Sequence, residues 1–546
     1  MTDSMGPEAI VRDARGRSDR FDWSMPYRSR RQPIFARNVV ATSQPLATQA
    51  GIAMLQRGGN AVDAALATAI ALTVVEPCSN GLGSDLFAIV WDGTGLSGLN
   101  ASGRAPEAWT PARFAGLAAM PRTGWDTITV PGAVSGWVAL SRRFGKLPFA
   151  DLFSPAIRYA AGGYAVSPVI AEKWANAVPI LGQVEGFAEH FLPHGRAPEA
   201  GEIFSSAAIA RSLQKIAASG GESFYRGELA EAMVAHARAH GGVHTLADFD
   251  AHRCDWVTPL AHDYQGHTIH ELPPNGQGIA ALMALGIIEN FDLDAQPVDA
   301  VMTQHLEIEA MKLAFSDVYR YVSDPATMRV TPAQLLDRGY LAARARLIDL
   351  GRAQDFGHGT PPPGGTVYLA AGDESGMMVS LIQSNYMGFG SGIVVPDTGI
   401  SMQNRGTGFS LQPEHPNLVG GGKRPFHTII PGFATRDGAP YAAFGVMGGP
   451  IQPQAHLQTL VRLIDYRGNP QAVLDAPRWK VNGGLSIDLE ADAAPSLREG
   501  LRALGHTFAS VPDSYMDFGA GQFVVRGEHG YVAGSDPRRD GQAAGY

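Results

Sequence analysis

Two neighbouring stretches, Val367–Ala371 and Met377–Gln383, are apolar along most of their length and are separated only by the turn-forming run Gly372–Gly376. A hairpin with one wet face alternates apolar and polar residues, whereas one without that alternation has to be covered on both sides. The rest of the chain supplies the covers. From about Pro148 to Leu350 it reads as mainly helical; His305–Tyr321, for example, carries Leu306, Ala310, Leu313 and Ala314 at helical spacing. Nearer the start, Gln44–Gly58 reads as a helix with Pro45 in its first turn, and Asn60 caps a second helix that is apolar on most sides. A Gly81-Leu82-Gly83-Ser84 turn leads into a strand at Leu86–Trp91. After the hairpin, strand-like runs recur at Ile429–Ala434, Tyr441–Val446 and Gly521–Val525, with a helix near Gln454–Tyr466. Helices covering both faces of stacked sheets in one interlocked body satisfy this pattern.

The hairpin is entered through Pro361-Pro362-Pro363-Gly364-Gly365, and its first residue is Thr366. A β-branched residue opening a strand is ordinary. The same threonine hydroxyl, at an unhindered Gly-Thr bond after a loop, is also placed to attack the preceding carbonyl. Cleavage there makes Thr366 a new N-terminus whose α-amine, with an ordinary pKa of about 7.7–8.0, is the base for its own hydroxyl.

Composition narrows the class. With 45% hydrophobic and 17% charged residues the chain has the makings of a large core. A net charge of -9, with no dominant basic run, argues against nucleic-acid partners. Two cysteines, Cys78 and Cys254, cannot build a disulfide framework. Ala61–Val75, broken by Asp63, is short for a membrane span, and Met1–Arg20 lacks the apolar core of a signal peptide. The expectation is a soluble, cytoplasmic protein without membrane contact, with a tail over residues 1–35. Glycine clusters do not complete a nucleotide motif: Leu86 replaces the third glycine after Gly81 and Gly83, and Gly420–Lys423 lacks the rest of a P-loop. The histidines read as scattered, without ligand spacing, so neither metal nor organic cofactor is expected.

The order of segments carries more. Gly58-Gly59-Asn60-Ala61-Val62-Asp63, Val130-Pro131-Gly132 and Leu272-Pro273-Pro274 precede Thr366. Ser380–Tyr386, Phe389–Ile393, Lys423-Arg424-Pro425, Met447-Gly448-Gly449, Asp475–Arg478 and Ser535–Arg538 follow it. This set, from about Val39 to Tyr546, resembles the γ-glutamyltransferase family of self-cleaving glutathione hydrolases and transpeptidases. The resemblance implies an N-terminal-nucleophile hydrolase fold of α+β class, a four-layer αββα sandwich. It implies a precursor cut between Gly365 and Thr366 into a large part, residues 36–365, and a small part, residues 366–546, with further homo-oligomerisation possible. It also implies that Thr366 attacks a small-molecule amide, that Ser384 supports it, and that Gly448 and Gly449 hold the oxyanion.

The implied substrate pocket departs from the family pattern. The Asp, Asn and Gln that hold a substrate α-ammonium correspond here to Gly408, Tyr386 and Arg405. The serine pair becomes His427-Thr428, and the carboxylate-binding Arg aligns with Ser102, with Arg104 two residues on. Three readings follow: γ-glutamyl chemistry; hydrolysis of an acyl amide bearing a carboxylate but no ammonium, of glutaryl or oxamate type, held by Arg104 and Arg405; or a silent binding protein that keeps the fold.

Overall fold

Among the described residues (31–293, 295–357, 365–508 and 518–546) of the computed structural model, two seven-stranded antiparallel sheets carry the body Gln32–Tyr546. Numbered along the chain, their strands are β1 (Ile34–Ala36), β2 (Val39–Thr42), β3 (Asp85–Trp91), β4 (Leu96–Ala101), β5 (Asp255–Val257), β6 (Leu260–Tyr264) and β7 (His267–Glu271). The remainder are β8 (Gly365–Gly372), β9 (Met378–Tyr386), β10 (Gly432–Arg436), β11 (Ala439–Met447), β12 (Ala520–Gly527), β13 (Gly530–Ser535) and β14 (Gln542–Gly545). One sheet runs β14-β2-β8-β9-β3-β4-β5, the other β1-β13-β12-β11-β10-β7-β6. The helices used below are α1 (Pro45–Gln56), α2 (Ala61–Val75), α3 (Pro168–Leu181), α4 (Ile279–Ile288), α5 (Val301–Tyr321) and α6 (Ile451–Ile464).

Side-chain alternation sorts these elements into four layers. In β8, Val367, Leu369 and Ala371 point outward into a core shared with α1 and α2. Tyr368 and Ala370 point the other way, against Phe433, Ala443, Met447 and Val524 of the second sheet. The far face of that sheet, with Ala434, Ala442, Phe444 and Phe523, packs on α4, α5 and α6. The order is helix, sheet, sheet, helix, and the hairpin β8–β9 lies buried at the middle of its sheet, as its unbroken apolar pattern requires.

Local signals fix the ends. Asn60 accepts from the amides of Val62 and Asp63 while Asp63 accepts from Asn60, a capping box that accounts for the lone acid in an apolar helix. The strand read from Ile429 begins instead at Gly432. The Ile429 and Ile430 amides donate to His427 Nδ1 and Gln452 Oε1, so they are withdrawn from the ladder. β1 pairs Ile34 with Ala533, so the sheet takes in residues assigned to a tail ending at 35. The Pro/Gly run up to 364 lies outside the described residues. No described helix is long and apolar enough to cross a membrane.

The layer between the sheets leaves no slack beside the nucleophile strand. A Cβ on Gly445 would lie 2.4–2.8 Å from the Tyr368 ring, whose hydroxyl is hydrogen-bonded to Ser380 at 2.8 Å. Gly445→Ala is expected to cost about 1–3 kcal/mol by overpacking, measured as a lowered midpoint in chemical denaturation.

Candidate active site

Thr366 is fully buried at the start of β8 and shares the strand parity of Tyr368 and Ala370, which face the second sheet. The β8–β9 register slips between Gly365 and Val367, so Thr366 sits at a bulge, with Gly365 opposite Tyr386. One hydroxyl organises the junction. Ser384 Oγ accepts from Thr366 Oγ1 at 3.1 Å and from the Tyr386 amide at 2.7 Å, and donates its own proton to the Gly365 carbonyl at 2.7 Å. The nucleophile and the carbonyl that precedes it are thus bridged by a single side chain.

Beyond β9 the backbone turns sharply, with Tyr386 in the left-handed region at φ 78°. Asn404 holds the turn: its Oδ1 accepts from Met387 N at 3.1 Å, and its own amide donates to Asn385 O at 3.1 Å. Arg405 comes next. It is 1% exposed, its guanidinium lies 4.7 Å from the centre of the Tyr386 ring, and Nη1 donates to Thr428 Oγ1 at 2.9 Å. Nε and Nη2 are buried without a partner. Burial pulls the Arg405 pKa down to about 10, against the attraction of Asp85 and Tyr386.

Asp85 lies under this pocket. Its carboxylate accepts from the amides of Gly103 at 3.2 Å and Gly132 at 3.0 Å, and from His427 Nε2 at 3.1 Å. Because Ile429 N donates to His427 Nδ1, the imidazole carries its proton on Nε2. Burial holds His427 well below its ordinary pKa, so it is a neutral donor. Burial also pushes Asp85 up to about 7, opposed by Arg405.

Gly448 and Gly449 follow β11 with φ of 133° and 70°, a left-handed pair that residues with a Cβ rarely adopt. Gln277 ties this turn to the Arg405 pocket, Nε2 donating to Gly449 O at 3.0 Å and Thr428 O at 2.7 Å. Gly445, earlier on β11, packs on Tyr368 two residues beyond the nucleophile.

Tyr386, Arg405, His427 and Thr428 therefore gather in one buried cluster, whereas Arg104 does not join them. Its guanidinium, half in solvent, binds Asp324 at 3.2 Å and Gly422 O at 3.1 Å. The histidines are less scattered than their sequence positions imply. His236 and His240, one helical turn apart, meet Glu185, and His305, Glu309 and His506 form a second group. Neither group offers a free ligand set. Trp125 donates to His236 Nδ1 at 3.1 Å, which puts that ring's proton on Nε2, and Lys312 Nζ already binds Glu309 at 2.7 Å. Asp85, Gln277 and Asn404 escaped the sequence reading. Asp85 has a signal, because it follows the Gly81–Ser84 turn directly and opens the strand that the turn leads into.

The γ-glutamyltranspeptidase family model matches residues 47–546. The chain belongs to that family. An oxamate amidohydrolase proenzyme of Klebsiella pneumoniae is 38% identical over 92% of this chain and 97% of its own length. A glutathione hydrolase-like proenzyme of Bacillus subtilis is 35% identical over 94% and 99%. The crystal structure of a cephalosporin acylase from Bacillus halodurans superposes with a TM-score of 0.92 at 47% identity, covering 96% of this chain and 99% of that one. This γ-glutamyltranspeptidase family member is accordingly an enzyme of N-terminal-nucleophile hydrolase type with the αββα fold.

A pH dependence follows for the family member's pocket. Below about pH 7 Asp85 is protonated and leaves the Arg405 charge to an anionic ligand; above it the carboxylate competes for that charge. KM for a substrate with an acyl carboxylate is expected to rise as pH passes upward through 7, and Asp85→Asn to flatten the profile. Asp85 also bears on folding, since its pKa is raised from 3.8. Its contribution to stability is complete below that unfolded value and is lost as pH rises through about 7.

Proposed function

We propose that this protein is a self-processing threonine amidohydrolase that cleaves amides whose acyl group bears a carboxylate and no α-ammonium. Arg405 carries the reading. A guanidinium this deeply buried, with two nitrogens lacking partners and Asp85 acting on it only through space, has donors to offer an anion. Gly408 supports the same conclusion from the other side. A Cβ there would fall 2.5 Å from the Phe426 carbonyl, so no carboxylate side chain fits where the family pattern has the partner of an α-ammonium. The relatives named as an oxamate amidohydrolase and a cephalosporin acylase are consistent with acyl groups other than γ-glutamyl.

The Ser384 network supports the cutting step. Thr366 Oγ1 adds to the Gly365 carbonyl carbon, passing its proton to Ser384 as Ser384 gives its own to the carbonyl oxygen. The resulting cyclic adduct breaks its C–N bond, the nitrogen taking up a proton, to leave an ester on Thr366. Water hydrolyses that ester to a Gly365 carboxylate and a free Thr366 α-amine. In turnover that amine takes the hydroxyl proton and returns it to the leaving amine, while the Gly448-Gly449 turn supplies oxyanion donors.

Mass spectrometry of purified protein is expected to find a fragment beginning at Thr366, and Thr366→Ala to remain a single chain. Ser384→Ala should slow cutting by about 10²–10³, the usual loss of one oxyanion donor, with Ser384→Thr restoring it. Scission of Thr366→Ala at the same bond would sink the nucleophile assignment.

For the pocket, wild type should hydrolyse a glutaryl amide in preference to γ-glutamyl anilide. Arg405→Gln should lose about 2–5 kcal/mol of transition-state stabilisation on the glutaryl substrate, as expected for truncating one side of a buried charge pair. Ordinary turnover of glutathione with no activity on glutaryl amides or oxamate would overturn the reading.

A further inference from the structure

The turn that carries Gly448 and Gly449 begins where β11 loses a neighbour. β10 pairs with β11 only as far as Phe444, opposite Gly432, while β12 follows it to Met447, opposite Ala520. Beyond Phe444 a side chain of α6 takes over, and the Val446 amide donates to His456 Nε2 at 3.2 Å. An imidazole that accepts at Nε2 carries its proton on Nδ1, and that proton goes to Glu271 Oε1 at 2.6 Å. Glu271 ends β7, and both residues are fully buried. The His456 ring packs edge-on against Phe444, with centroids 5.1 Å apart.

The far end of the turn is held from the same stretch of chain. Gln277, a short loop beyond Glu271, donates to Gly449 O at 3.0 Å. Gly278 lets that loop close over Glu271, because a Cβ there would fall 2.7 Å from Glu271 Oε2 and 2.9 Å from its Cβ. The segment between β7 and α4 thus grips the turn at both ends, through His456 before Gly448 and directly at Gly449. Burial favours the neutral form of each partner: Glu271 lies well above the ordinary carboxyl pKa, and His456 falls to about 3. The contact is therefore a neutral hydrogen bond that fixes one tautomer. Inside this grip the Gly448 and Gly449 amides donate to no described residue.

A pair of amides stabilises an oxyanion only if it is already aimed when the charge develops. Glycines have little intrinsic preference for one backbone conformation, so contacts outside Gly448 and Gly449 have to set theirs. We propose that His456, oriented by Glu271, is a positioning residue for the reaction: it fixes the last step of β11 and with it the direction of the Gly448 and Gly449 amides. The proposal rests on the oxyanion role given to that turn above and is independent of which acyl group is cleaved.

The two ring nitrogens can be tested separately. A glutamine places its amide oxygen near the position of Nε2, whereas an asparagine reproduces only the Nδ1 side. His456→Asn in the processed enzyme is expected to lower kcat by about 10²-fold with KM unchanged, the signature of a small misplacement felt only in the transition state. His456→Gln should keep most of kcat. The substrate is glutaryl or γ-glutamyl 4-nitroanilide, whichever wild type turns over faster, so that failure of the acyl reading leaves this inference standing. Glu271→Gln still accepts from Nδ1 and should behave as wild type, while Glu271→Met should show the same loss of kcat in weaker form. That pair carries the test if His456→Asn fails to fold. Equal kcat in His456→Asn and His456→Gln, or a loss that falls on KM instead, overturns the inference and leaves the oxyanion role of the turn in place. Processed wild type that cleaves neither anilide removes both.

Discussion

The pairing of β8 with β9 at the centre of a sheet covered on both faces is the constraint on which the site depends. With helices on one side and a second sheet on the other, a slip of one residue would turn the whole apolar set around. Val367, Leu369 and Ala371 hold the register from the helix side, and Tyr368 and Ala370 hold it from the sheet side. Thr366 shares the parity of Tyr368, so the packing that stabilises the layers also decides which way the nucleophile faces. The bulge between Gly365 and Val367 then interrupts the ladder at Thr366, while pairing is regular from Val367 onward.

Charges buried around this frame are of two kinds. Some are closed on themselves. Arg478 binds Asp536 at 2.6 Å, Asp536 also accepts from Arg538 at 3.1 Å, and Arg538 reaches Glu490 at 2.5 Å. These ties draw together two Pro-Arg segments far apart in the chain. Arg424 is similarly committed, to Asp255, the Ser102 carbonyl and, through its amide, Asp324. Arg405 is the other kind, with nitrogens left over. Arg478 also has a buried Nε without a partner, yet its charge meets the Asp536 carboxylate, whereas Arg405 has no carboxylate within ion-pair distance among the described residues.

What the sequence made legible follows the range of the interaction. Helix caps, the hairpin and the order of layers arise from neighbours or from periodicity, and Asn60, Pro45 and the apolar run after Thr366 announce them. The order of motifs points to Ser384, which contacts the Thr366 hydroxyl, and to Gly448 and Gly449, which form a left-handed turn. Asp85 and Gln277 act across more than 150 residues of chain, on His427 and Thr428, and nothing near them in sequence names those partners. Arg104 was misjudged for the same reason. Two residues from the family's position is close in sequence, yet Asp324, 220 residues away, decides where its guanidinium goes.

In the uncut chain the Thr366 nitrogen is an amide and cannot act as a base, and Ser384 spends its only proton on the Gly365 carbonyl. Under the proposed self-cleavage both restraints end together. The nitrogen becomes an amine, and departure of the Gly365 carbonyl frees the Ser384 hydroxyl to orient the nucleophile it already touches. The same two side chains that make the cut are thereby converted into the turnover machinery.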